Sequence, residues 1–146
     1  MTIEQLSVFL ENKPGELVEI LGKLAGEGID LRALSLADTE NFGILRLIVD
    51  KPVRALEILQ DEGYIVELID VIPVSVDDKP GALVSALRVL SAAGISVEYA
   101  YVFVAPKTGA AGKAYAIIFT GDNAKAVRIL TEEGFDLVPS AQMYEM

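Results

Sequence analysis

The chain has 146 residues, room for one ordinary domain or two very small ones, and 52% of them are hydrophobic, with a mean hydropathy of +0.43. Its 22 acidic and 12 basic residues give a net charge of −10, and the basic ones are scattered, which argues against a nucleic-acid partner. Cysteine and histidine are absent, so there is no disulfide framework, no thiolate metal site, and neither the commonest neutral-pH base nor the strongest nucleophile.

A first strand is expected at 3–11, with apolar residues at every second position. A Lys-Pro-Gly turn follows, then a helix at 14–27 whose Leu17, Val18, Leu21, Leu24 and Ala25 form one stripe. Pro14 is read as a first-turn residue and Gly28 as the stop. Strands at 29–37 and 42–49 flank the turn Asp38-Thr39-Glu40-Asn41. A second helix at 52–62 opens with Lys51-Pro52 and closes at Gly63, before a strand at 64–70.

The order then begins again with a strand at 71–77, a helix at 80–93 closed by Gly94, and strands at 95–105 and 113–120. Ala105–Gly112 has the composition of a hairpin loop. Asp122 is a plausible N-cap for a helix at 122–133, closed by Gly134, and a last strand is expected at 135–143. Pro73 falls inside a strand that should be central, which predicts a bulge or a late strand start there.

The second half is a copy of the first. Lys13-Pro14-Gly15 recurs 66 residues later as Lys79-Pro80-Gly81, and the same offset carries Leu17, Leu21, Leu24 and Gly28-Ile29 to Leu83, Leu87, Leu90 and Gly94-Ile95. Beyond the hairpin the offset is 71, which matches Glu62-Gly63-Tyr64 to Glu133-Gly134-Phe135. The extra residues fall in the Ala105–Gly112 loop. Internal duplication of this kind means two similar units. The expected architecture is α+β: two ferredoxin-like βαββαβ modules, 1–70 and 71–146, each a four-stranded antiparallel sheet with both helices on one face.

Both faces of the second copy's hairpin are apolar. Val97, Tyr99, Tyr101 and Phe103 oppose Ala100, Val102 and Val104; Tyr115, Ile117 and Phe119 oppose Ala114, Ala116 and Ile118. Such surface predicts cover from the other module or from a second copy, as in a homodimer.

The turns Glu11-Asn12-Lys13-Pro14-Gly15 and Asp77-Asp78-Lys79-Pro80-Gly81 are the candidate ligand sites. A helix N-terminus presents N–H groups and a partial positive charge to a carboxylate. Gly15 and Gly81 let a ligand approach the backbone. Asn12 can donate and accept, and Asp78 can accept from an ammonium. A free amino acid carries both groups.

Asn12-Lys13-Pro14-Gly15-Glu16-Leu17 and Asp78-Lys79-Pro80-Gly81-Ala82-Leu83, each within a βαββαβ unit, resemble the motif of ACT domains, and the chain resembles the stand-alone tandem ACT proteins over almost its whole length. The resemblance implies a regulatory protein that binds an amino acid or similar small ligand where modules meet. It implies a site made of Asn12, Gly15, Glu16 and Leu17 with Ile29 and Asp30, and of Asp78, Gly81, Ala82 and Leu83 with Ile95 and Ser96, the strand residues coming from a neighbouring module. Asn12 against Asp78, and Asp30 against Ser96, predict inequivalent sites.

No catalysis, cofactor or metal is expected. Asp77-Asp78 and Glu132-Glu133 read as solvated surface, and no calcium-loop spacing occurs. RNA-binding relatives of the fold need basic residues beside the aromatics; metal carriers need a cysteine pair, and acyl phosphatases an Arg-bearing phosphate loop. No apolar run nears the roughly 18–20 residues of a membrane span. Met1-Thr2-Ile3-Glu4-Gln5 lacks the pattern of a leader, so a cytoplasmic protein is expected. The competing reading is a structural interaction module whose apolar face joins a partner and whose Pro-Gly turns are only turns. Under the sensor reading, an enzyme is a candidate regulated partner.

Overall fold

The computed structural model describes residues 2–38, 41–104 and 112–144. In chain order the elements are β1 (Ile3–Glu11), α1 (Glu16–Gly26), β2 (Leu31–Asp38), β3 (Phe42–Val49), α2 (Pro52–Asp61), β4 (Ile65–Asp77), α3 (Ala82–Ala92), β5 (Val97–Val104), β6 (Lys113–Thr120), α4 (Asn123–Glu132), β7 (Asp136–Leu137) and α5 (Ser140–Tyr144). Contacts divide them into two compact units, Glu4–Ile69 and Asp70–Tyr144.

In the first unit the strand order is β2-β3-β1-β4. Antiparallel pairing sets Leu6 opposite Leu47 and Val8 opposite Leu45, and alternation sends these side chains to one face. There they meet Ile20 and Leu24 of α1 and Ala55 and Leu59 of α2 in one core. Burying each large aliphatic side chain contributes about 1.5–3 kcal/mol.

In the second unit β6 and β7 both pair with β4, and β5 pairs with β6. Ile72, Val74, Ala116 and Ile118 face Ala86, Leu90, Ala126 and Leu130 of the helices. The opposite sheet face is covered as well. Tyr115 and Ile117 are buried, and Tyr115 accepts a 3.0 Å hydrogen bond from Gln142 of α5 through its hydroxyl. Tyr99 stacks on Phe119 at 5.1 Å, and Phe103 meets Tyr115 edge-on at 5.7 Å. The α+β architecture of two antiparallel ferredoxin-like repeats thus matches the expectation.

Helices α1 to α4 end alike. The Gly28 N–H donates to Ala25 and the Ile29 N–H reaches back to Leu24; Gly63-Tyr64, Gly94-Ile95 and Gly134-Phe135 repeat the pattern. This is the Schellman closure, in which a left-handed glycine lets the next, apolar residue satisfy a carbonyl of the last turn.

Three expectations need correction. Helix α1 begins at Glu16 rather than 14, and α3 at Ala82 rather than 80. Gly15 and Gly81 sit at φ 88° and 85°, a left-handed backbone that the helix cannot extend through, so Pro14 and Pro80 belong to the turn. The strand expected at 135–143 is only Asp136–Leu137, followed by α5. Pro73 lies in unbroken register opposite Ile117, with no bulge. Its carbonyl accepts from the Val138 N–H on the β7 side, where it has no N–H to return, so the β4–β7 ladder stops there. Pro139 next withholds its own N–H, and its carbonyl accepts from Met143 as α5 forms. In the Ala105–Gly112 hairpin, residues 105–111 lie outside the described residues, as do Thr39 and Glu40 of the first hairpin turn.

Candidate functional site

The two Pro-Gly turns share the same backbone hydrogen bonds. Lys13 N–H donates to Glu11 at 2.9 Å and Lys79 N–H to Asp77 at 2.9 Å; Glu16 N–H donates to Lys13 at 3.4 Å and Ala82 N–H to Lys79 at 3.3 Å. Asn12 N–H is tied to Asn41 and Asp78 N–H to Gly112, so each turn is anchored to the start of the neighbouring hairpin strand. Gly15 and Gly81 occupy the N-cap positions, with no side-chain cap on either helix. A Cβ at either glycine would meet nothing within 4 Å. The glycines are therefore required by the positive φ, and the surface over them is open.

The remaining residues of the expected site divide by role. Asn12 and Asp78 are exposed, and Glu16 and Ala82 half-buried. Leu17 and Leu83 pack against their cores from the first helical turn. Ile29 and Ile95 are core residues and offer little surface to a ligand. Asp30 is exposed, 2.8 Å from Arg32, and its N–H donates to Asp50 Oδ1. Ser96 is exposed beside Gly121, Asp122 and Lys125. Within one unit the turn and these strand residues lie at opposite ends of an 11-residue helix, about 16 Å apart at 1.5 Å per residue. A single unit does not bring the two halves together.

The structure adds a feature that the sequence reading missed. Each unit has a groove where the end of its first strand, the first turns of its first helix and the chain after its second helix converge. In the first unit the groove is about 390 Å³ and is lined by Phe9, Glu16, Glu19, Phe42, Tyr64 and Ile65, among others. In the second it is about 330 Å³, with Ser75, Ala82, Ser85, Lys113, Phe135 and Asp136 at the matching repeat positions. The available signal was the Gly63-Tyr64 and Gly134-Phe135 match, which periodicity assigns only to a helix stop.

The chemistry of the two grooves differs. In the first, Tyr64 donates to Glu19 Oε2 at 3.4 Å, and burial, then the charges of Glu16 and Glu19, raise its phenol above the usual tyrosine value. Lys13 lies 3.4 Å from Glu11 and 3.8 Å from Glu16; the hydrogen bond to Glu11 is the main reason its ammonium is held above its ordinary pKa. In the second, Lys113 donates to Asp77 at 2.6 Å, which lowers the Asp77 carboxyl and raises the Lys113 ammonium. Among the described residues no group of three or more His, Cys, Asp or Glu is placed to hold a metal ion. No helix of the described residues is long and apolar enough to cross a membrane.

Comparison with known proteins places these features in a family. No curated protein matches the chain. A protein of Bacteroides thetaiotaomicron with a solved structure is 38% identical, with 100% of this chain and 98% of that one covered, at a TM-score of 0.92. The ligand-free regulatory subunit of aspartate kinase from Thermus thermophilus shares the fold at 17% identity, covering 90% of this chain and 92% of that one, at a TM-score of 0.64. The corresponding subunit from Thermus flavus is 16% identical, covering 88% and 90%, at 0.61. The ACT domain pair family matches residues 1–146, the whole chain, and the protein belongs to that family.

Proposed function

We propose that this protein is a regulatory sensor that binds a free amino acid, or a small molecule of the same polarity, at its Pro-Gly turns and transmits occupancy through assembly or a partner. The observation that carries the reading is the duplicated turn: two uncapped helix N-termini, each behind a left-handed glycine with open surface above it. Such a terminus favours a carboxylate, and Asn12 or Asp78 stands three residues before the N-cap glycine for the ammonium. ACT domains are regulatory domains that bind amino acids and often oligomerise. Because each unit holds the turn and the strand start about 16 Å apart, a complete site draws its strand residues, Asp30 or Ser96, from another module. Coupling between ligand and assembly follows by linkage: the geometry that binds ligand better becomes populated.

The test is thermal unfolding of the full chain against the twenty amino acids. A ligand at about 100 times its Kd stabilises by about 2.7 kcal/mol. One chemical subset should raise the midpoint, and Gly81→Asn should remove the shift while keeping the turn, since Asn tolerates the left-handed region. A panel with no effect on the midpoint would discard the amino-acid reading in favour of an interaction module, the reading supported by exposed Leu34, Leu36 and Val102.

A further inference from the structure

The duplication supplies an internal control for the grooves. The units share a fold, a turn and a groove, so a difference in groove lining is not demanded by the architecture. Phe9, Phe42 and Ile65 line the first groove and are 43%, 56% and 68% exposed. Their counterparts are Ser75, Lys113 and Asp136. The second unit forms the same strands with polar residues at all three positions, and Glu11–Phe42 and Asp77–Lys113 are equivalent pairs across the sheet. Exposed aromatic surface that folding does not require is a mark of binding.

We infer that the first unit's groove binds a small organic cation with an aliphatic body, an alkylammonium or guanidinium compound lacking a carboxylate, and that the second unit's groove does not.

The size suits a small ligand, since such pockets start near about 300 Å³. The charge selects its sign. Glu16 and Glu19 line this groove where the second unit has Ala82 and Ser85. The Glu16 side chain is only 11% exposed and lies 3.8 Å from Lys13, Glu19 is held by the Tyr64 hydroxyl, and Glu11 and Glu62 add two further carboxylates to the lining. Carboxylates in a concavity with apolar walls focus negative potential, and ring faces beside them favour a cation further. The aliphatic body of the ligand would cover Phe9, Phe42 and Ile65. A carboxylate on the ligand would meet Glu16 and Glu19, which excludes an ordinary free amino acid here. In the second groove Ala82 and Ser85 replace Glu16 and Glu19, and Asp77 is paired with Lys113 at 2.6 Å and with Lys79 at 3.7 Å, so that groove lacks the concentration of negative charge found in the first. The cation is held by the side chains of Glu16 and Glu19 in the groove, whereas an amino acid at the turn is held by the helix N-terminal backbone; Glu16 is common to both.

The probe is agmatine, titrated calorimetrically into the full chain, with L-glutamate as the charge-reversed control. Saturable binding at one site per chain, weakened by added salt, is expected for agmatine, and any heat from L-glutamate, a candidate for the turns, should be unchanged by Phe42→Lys. Phe42→Lys installs the second unit's residue at an exposed position, and Glu19→Gln removes one charge without changing shape. Each should weaken agmatine at least tenfold while circular dichroism and the unfolding midpoint stay near those of the unaltered chain. Absence of a saturable agmatine isotherm overturns the inference, as does an isotherm that neither substitution changes. The two readings fail separately: agmatine binding without any amino-acid shift leaves the groove standing alone, and an amino-acid shift without agmatine binding removes only the groove.

Discussion

The two units solve the same packing problem with different side chains. The first fills its helix-facing core with Ile20 and Leu45, where the second has Ala86 and Ala116. The second compensates on the other side of its sheet. Tyr115 and Ile117 are buried there, where the first unit has half-buried Ile44 and Arg46. The difference teaches that the repeat preserves topology and turn chemistry while large core side chains are redistributed between the two sheet faces, the trend reversing at Ile48, fully buried where the second unit has half-buried Phe119. Short helix α5, which has no counterpart in the first unit, accompanies that move through Gln142 and buried Met143.

The sharpest way to break the comparison is Tyr115→Ala. Truncating a fully buried aromatic costs about 3–5 kcal/mol, and urea unfolding should register it, whereas Ile44→Ala at the matching position should cost well under half as much. Equal losses would mean that the second face is not where the second unit keeps its core. Next come Leu59→Ala and Leu130→Ala, matched residues that are both fully buried. Each should cost about 2–5 kcal/mol, with the smaller value expected in the alanine-rich second core, where neighbours can close the cavity.

The second helices differ at their starts. Asp122 accepts from the Lys125 N–H at 3.1 Å, whereas Lys51 makes no cap and Pro52 opens α2 instead. Asp122→Ala should therefore cost about 0.5–2 kcal/mol and Lys51→Ala close to nothing, by the same unfolding measurement.

The smallest effect is electrostatic. Lys113 lowers the Asp77 carboxyl below its ordinary value of 3.8, so the pair's contribution is present above that pH and is lost as pH falls through the lowered value. The raised Lys113 contributes below 10.5 and its part is lost as pH rises through its own value. Stability should be flat through neutrality on this account. Lys113→Met should return Asp77 toward an ordinary titration by carbon-detected NMR. The exposed pair is screened, so a large change in the neutral-pH unfolding midpoint would contradict this assignment.

Much of this was legible in one sequence because local rules suffice for it. Two Lys-Pro-Gly turns, a glycine followed by an apolar residue at each helix end, and period-two strands fix a βαββαβ order twice. The Asp122 cap was readable for the same reason, since its partner is three residues away. The grooves were not legible. Tyr64 and Glu19 are 45 residues apart and become neighbours only when the chain after α2 packs beside the first turns of α1. The end of the chain was misread because periodicity at 135–143 cannot see that Pro73, more than sixty residues upstream, offers no N–H to the strand beside it.

The sequence by itself determined the duplication, the element order, the positions of the turns and the sign of the net charge, because each depends on residues within a few positions of one another or on a simple count. Only the tertiary structure decided that Ile29 and Ile95 are core, that turn and strand start stand at opposite ends of a helix, and that matched grooves carry different chemistry. Those facts depend on which distant side chains share a surface, and alternation or spacing along one segment carries no information about the segment packed against it.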